Sequence, residues 1–288
     1  MNKFFLILSC LLLSVAPGRA QAPHHGKTVV PPDTTKKKIP TGPNPFQYDQ
    51  TAGNVYVTVI DSAKQLYWYR RVVNGKIMEE SRRVRINNIQ WSREGVSKMY
   101  YESGLLMKLE EYQHDQLNGT TLYFNEEGKL ETEQDYKNGM ADGIFKSFKG
   151  QVMKQISMWK AGQLNGRKTT FYDNGVTQED GYYINNQRDS LYRVFYTSGK
   201  PAATYIYKVG ALNGDFYNFF ESGSIQMHGT YTLSKLDGPY QEFYDHGVKK
   251  TEGQYHLDNK DGIWKYYDES GQLLKTETYK DGALLGTR

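Results

Sequence analysis

A glycine preceded by a carboxylate or an amide returns along this chain at a nearly constant interval, and that interval restricts the fold more than composition does. With the second residue of the pair as a marker, it falls at Gly95, Gly119, Gly143, Gly166, Ser190, Gly214, Gly238, Gly262 and Gly286. Seven of the eight spacings are 24 residues and one is 23. A second glycine follows nine residues later at Gly104, Gly128, Gly175, Gly199, Gly223, Gly247 and Gly271, and slips to Gly150 in the short unit. Self-similarity at this period means stacked supersecondary units rather than one globular core.

Two glycine turns per unit imply two strands, at residues 263–267 and 272–279 in the last full copy. Asn-Gly and Asp-Gly favour type I′ turns, which need positive φ at both central residues, so the marker reads as a hairpin turn. Five residues after it stand Tyr100, Phe124, Phe148, Phe171, Phe195, Phe219, Phe243 and Tyr267. Seven residues before the next marker stand Tyr112, Tyr136, Trp159, Tyr183, Tyr207, Tyr231, Tyr255 and Tyr279. Two rings cannot offset the conformational entropy of a whole unit, so a lone hairpin does not fold and neighbours must stack. The expected fold is all-β: tandem 24-residue β-hairpin repeats forming an elongated twisted antiparallel sheet or flattened solenoid. Eight units of two strands at about 4.8 Å per strand give a length on the order of 75 Å.

A ring fixed in every copy is what a repeated core requires, so rings that vary between copies are the better binding candidates. Two residues after the marker come Ser97, Thr121, Phe145, Lys168, Tyr192, Phe216, Tyr240 and Trp264. The last four, Tyr192, Phe216, Tyr240 and Trp264, are the candidate ligand or partner contacts; the alternative is that they only thicken the core. Arg82, Arg83, Arg85 and Trp91 break from the repeat and offer either a basic patch or a solvated strand face.

Ahead of the repeats the composition changes. Residues 1–20 carry Lys3, an apolar run from Phe4 to Val15 and then Gly18-Arg19-Ala20, the pattern of an export signal cut near Ala20. The run is too short to span a bilayer as a helix. Cys10, the one cysteine, lies inside it, so the mature chain has no thiol for a disulfide, a zinc site or a nucleophile. Six of the nine prolines and the Lys36-Lys37-Lys38 run mark residues 21–50 as a disordered tether. Residues 51–93 read as an N-terminal cap with a worn hairpin around Asn74-Gly75, and residues 94–288 as eight full repeats.

The net charge of +4 comes from the ends of the chain: without Lys3, Arg19, the four tether lysines, Asp33 and Asp49, thirty basic face thirty acidic residues. No basic stripe remains for nucleic acid. His114, His228, His246 and His256 each sit at a different repeat offset, and the residue before the marker exchanges carboxylate for amide, so neither forms a repeated acid–base or metal site. No phosphate loop, His-Glu-x-x-His or Gly-x-Ser-x-Gly occurs. The reading is a non-enzyme without cofactor or metal.

The string Gly-x-Trp-x-Tyr-Tyr-x-x-x-Gly-x-Leu followed by Tyr-Lys-Asp-Gly, at residues 262–282 and echoed at 119–139 and 214–231, resembles the MORN-repeat variant family. The resemblance implies an elongated array of β-hairpins with a shallow groove, no catalytic residue, and in bacteria an antitoxin-like label. Together these features predict an exported, periplasmic or secreted, non-catalytic module that binds a protein partner. The alternatives are a carbohydrate-binding module stacking sugars on Tyr192, Tyr240 and Trp264, and an antitoxin or immunity protein. Oligomeric state and the sheet face that binds stay open at this level.

Overall fold

The computed structural model describes residues 53–288; the expected export signal, Cys10 and the expected tether lie outside the described residues. The chain forms one open antiparallel sheet of 22 strands, in which each strand pairs with the strands before and after it in sequence. Two of those strands are short pieces. Gln116–Leu117 and Gly119–Phe124 share the partner Leu106–Gln113, and Ala211–Leu212 and Gly214–Phe219 share Pro201–Lys208. Twenty strand positions remain, roughly 95 Å along the hydrogen-bonding direction. The three strands Asn54–Asp61, Leu66–Val73 and Lys76–Arg85 extend the same sheet ahead of the first marker, joined in part by the two-residue turn Asn74-Gly75.

The marker is not a turn. Gly262 lies inside the strand Asn259–Tyr267, where Gln254 faces Asp261 and Glu252 faces Lys265, so the three residues 262–264 oppose Gly253 alone. The tight turns fall four to five residues earlier, at His114-Asp115, Asn138-Gly139, Ala161-Gly162, Asn185-Asn186, Val209-Gly210, Leu233-Ser234, Leu257-Asp258 and Asp281-Gly282, and the first residue of each has φ near 50°. These turn sequences vary, which hid them. Glycine predominates at the marker because the bulge there takes positive φ, which Ser190 adopts in the one exception with φ of 63°, and in some copies a neighbouring side chain also leaves no room for a Cβ. At Gly143 the backbone has φ of 124°, and a Cβ would stand 2.7 Å from the Cβ of Asp135.

The residue before the marker serves that turn chemistry from a distance. Its side chain accepts the N–H of the first residue of the next tight turn, twenty residues on: His114 N–H to Glu94, Asn138 to Asn118, Val209 to Asp189, Leu257 to Asp237 and Asp281 to Asp261. Carboxylate and amide oxygens accept equally well, hence the exchange between them. A second tie runs along the same margin, where the N–H of the second turn residue bonds the carbonyl 22 residues earlier, as from Gly210 to Arg188 and Gly282 to Lys260. On the opposite margin the phenols of Tyr101, Tyr172, Tyr196 and Tyr244 donate to the carbonyls of Phe124, Phe195, Phe219 and Tyr267, 23 residues ahead.

Candidate interaction faces

Side chains alternate across each strand, so the repeat places fixed offsets on fixed faces. One face carries the positions two, fifteen and seventeen residues after the marker and is closed by aromatic packing. Across neighbouring strands of this face large side chains meet small ones: Ser97 pairs Glu110, Thr121 pairs Gln134, Phe216 pairs Gly229 and Tyr240 pairs Gly253. Glycine at Gly181, Gly229 and Gly253 leaves room for Tyr192, Phe216 and Trp264 to lie flat on the backbone.

This face holds the four rings singled out from the sequence. Tyr192, Phe216, Tyr240 and Trp264 are 3%, 3%, 8% and 1% exposed. Phe216, Tyr240 and Trp264 form the core cluster, with Tyr205, Met227, Tyr231, Tyr255, Tyr266 and Tyr279 packed on it. Tyr255 meets Trp264 edge-on at 5.0 Å, and Tyr240 edge-on at 5.2 Å. Lys260 covers the Trp264 ring from 4.3 Å, and the indole N–H donates to the carbonyl of Gln254. Burial pushes the Tyr240 phenol well above its ordinary range, with Glu242 adding to the shift. Three of the four are thus brought together as packing, and Tyr192 is buried apart from them against Gly181 and Tyr207, with no free ring face for a sugar. The varying rings sit deepest, while the constant ones five residues after the marker are only half-buried. A fixed position can serve a half-exposed ladder as well as a core, and the sequence does not separate the two.

The other face is open and carries the offsets one, three, fourteen and sixteen. Its middle bears a row running across six neighbouring strands, in which Ile144 pairs Met158, Arg167 pairs Tyr182 and Leu191 pairs Ile206. The five apolar members are 38–50% exposed, and the Arg167 side chain is 69% exposed. A hydrogen-bonded Thr–Asp pair closes the row at each end, Thr120 with Asp135 and Thr230 with Asp215. Beside it runs a second row, Lys146, Ile156, Thr169, Asp180, Arg193 and Thr204, each paired with the next. Asp180 is buried there under Arg167, Thr169 and Arg193, whose contacts hold its carboxyl low against the opposing desolvation. Nothing in one sequence marks these rows, because offset one is apolar in some other copies and polar in the rest, while offset sixteen is polar in every other copy.

Elsewhere on this face a shallow hollow lies among Pro239, Gln241, Glu252, Gln254, Ile263 and Lys265. Lys249 and Tyr267 bond Glu252 and drop its carboxyl to about 2, which makes it a fixed anion rather than a proton carrier at neutral pH. The histidines are spread out: His114 sits in a turn, His228 stacks on Tyr217, His246 meets the carbonyl of Glu269 and His256 meets Asp237. Several basic residues of the first strands have partners, Arg70 with Glu80, Arg83 with Glu79 and the Tyr69 ring, and Arg85 with the Trp91 ring. Among the described residues no group of three or more His, Cys, Asp or Glu side chains is placed to hold a metal ion, and no helix is long and apolar enough to cross a membrane.

A single-layered sheet of hairpins tied along both margins defines an open-ended β-repeat protein. Its unit matches a known family: the MORN repeat variant matches residues 93–114, 117–138, 164–185 and 260–281, each span running to the first residue of a tight turn. Over these four spans the chain is similar to the MORN repeat variant. A search of the curated proteins found no match.

Proposed function

We propose that this is an exported, non-catalytic repeat protein that works as a protein-interaction or scaffold module in the cell envelope, with the open face as its contact surface. MORN-variant repeats point to a role in protein or membrane contact, and the export signal at residues 1–20 supports the compartment. The observation that carries the reading is the exposed row from Ile144 to Ile206. With side chains of roughly 200 Å² each, its apolar members and neighbouring Ile184 leave on the order of 500 Å² of apolar surface in water, the size at which surface patches are commonly functional. Charged side chains in the face are tied to one another, as Asp180 is to Arg167 and Glu252 to Lys249, which suits a binding surface better than acid–base chemistry.

The carbohydrate alternative needs free ring faces at Tyr192, Tyr240 and Trp264, and those rings are covered. An effector-neutralising role would use the same open face and predicts toxicity when the gene is deleted beside an intact neighbour. The deciding experiment immobilises the full chain and a Leu191→Lys variant, exposes both to an envelope extract, and places both on a glycan array. Proteins retained by the wild type and lost by Leu191→Lys are expected. Specific glycan binding by both, with no protein retained, overturns the reading.

A further inference from the structure

The order of side chains in the open rows is self-complementary when reversed. Read forward, the first row is Ile144, Met158, Arg167, Tyr182, Leu191, Ile206. A two-fold axis lying in the plane between two facing sheets and running along the strands, between Gln163–Phe171 and Thr177–Ile184, reverses that order in the opposing copy. Ile144 then faces Ile206 of the second copy, Met158 faces Leu191, and Arg167 faces the ring of Tyr182, each contact occurring twice. The second row also reverses without conflict: Lys146 meets Thr204 and Ile156 meets Arg193, while Thr169 and Asp180 at its centre lie buried beneath Arg167 and Arg193. Neither row sets like charges against each other.

We propose that the occupant of the open face is a second copy of this chain, packed face to face through residues 144–206. The proposal deepens the interaction reading above and rests on it. About 500 Å² of exposed apolar surface on each copy, with the second row and the stems of Lys146 and Arg193 around it, brings the buried total to on the order of 1,200 Å², the lower end of stable interfaces. Facing sheets pack about 10 Å apart with strands near 30° off parallel, an arrangement two twisted sheets reach over a few strands before they diverge. The divergence falls at the Thr120–Asp135 and Asp215–Thr230 pairs, which stay in solvent as a polar rim. Arg167 is suited to the centre of the contact. Its charge is already paired with Asp180, yet its side chain is largely exposed, leaving the guanidinium plane free for an opposing ring.

Sedimentation equilibrium on the full chain tests this, with circular dichroism confirming that each variant is folded. The wild type is expected to dimerise at micromolar concentration. Leu191→Lys should abolish the dimer, and Arg167→Ala should weaken it about tenfold or more, because each substitution acts twice. The register is tested by cysteines in a Cys10→Ser background. Met158→Cys together with Leu191→Cys should give a covalent dimer on oxidation, and either alone should not. Within one copy the two positions are three strands apart, roughly 14 Å, beyond the reach of a disulfide. Ile263→Cys paired with Met158→Cys is the control and should stay monomeric. A chain that is monomeric at about 100 µM, or a dimer indifferent to Leu191→Lys, overturns the proposal. If that monomer still retains an envelope protein that Leu191→Lys loses, the interaction reading stands and only self-association falls.

Discussion

At Gly253 a single hydrogen atom decides whether the deepest ring can be seated. A Cβ there would stand 2.3 Å from Cδ2 of Trp264, while the backbone itself has no positive φ, so any penalty is one of contact alone. Gly253→Ala is expected to destabilise the protein by about 1–3 kcal/mol through overpacking, whereas Gly286→Ala, with nothing within 4 Å, stays within about 0.5 kcal/mol. Urea denaturation measures both, and a Trp264→Leu background should remove most of the Gly253→Ala cost if the ring is its cause. The glycines that carry this burden were visible in the sequence only as irregular extras. Their meaning depends on which residue lies across the strand, and that register is hidden by the two additional residues each marker bulge inserts. The same shift explains why Tyr192, Phe216, Tyr240 and Trp264 looked like variable surface rings: each compensates a small neighbour that cannot be identified until the strands are aligned.

Between elements, repeats are held by ties of one-repeat reach. Tyr196 donates to the carbonyl of Phe219 at 2.5 Å, and the analogous phenols recur in three other copies. Tyr196→Phe should therefore cost about 1 kcal/mol, read from the thermal midpoint, without disturbing the hairpin that contains it. A second tie is electrostatic. Glu252 joins the strand Lys249–His256 to Lys265 and Tyr267 on the next strand, and its folded pKa of about 2 lies below the ordinary 4.5 of a free glutamate. A carboxyl lowered on folding contributes stability that is fully present above about 4.5 and disappears as the pH falls towards 2. Wild type should thus lose stability more steeply than Glu252→Gln between about pH 5 and pH 2.5, as urea midpoints at the two ends would register. Hairpin existence was legible from the paired glycines and periodic rings. The place of the tight turn was not, since Leu233-Ser234 and Leu257-Asp258 put a leucine at positive φ with no glycine or asparagine beside it, aided by Asn213 and Asp237 twenty residues upstream.

Among the described residues, contacts run between adjacent strands and successive repeats of an open row, so stability should accumulate along the chain instead of residing in one centre. An excised unit, residues 260–281, is expected to give no cooperative unfolding transition, while deletion of one complete 24-residue unit from the middle should leave a folded, slightly shorter sheet; circular dichroism melts distinguish these outcomes. The period and the all-β class were set by the sequence alone, because they depend on spacing and residue type and on nothing brought from a distance. Which rings are buried, why the marker favours glycine, and that Ile144, Met158, Arg167, Tyr182, Leu191 and Ile206 line up on one open face were decided only by the tertiary structure. Those facts follow from the cross-strand register, and a bulge that adds two residues to one strand shifts that register without leaving a mark in the linear chain.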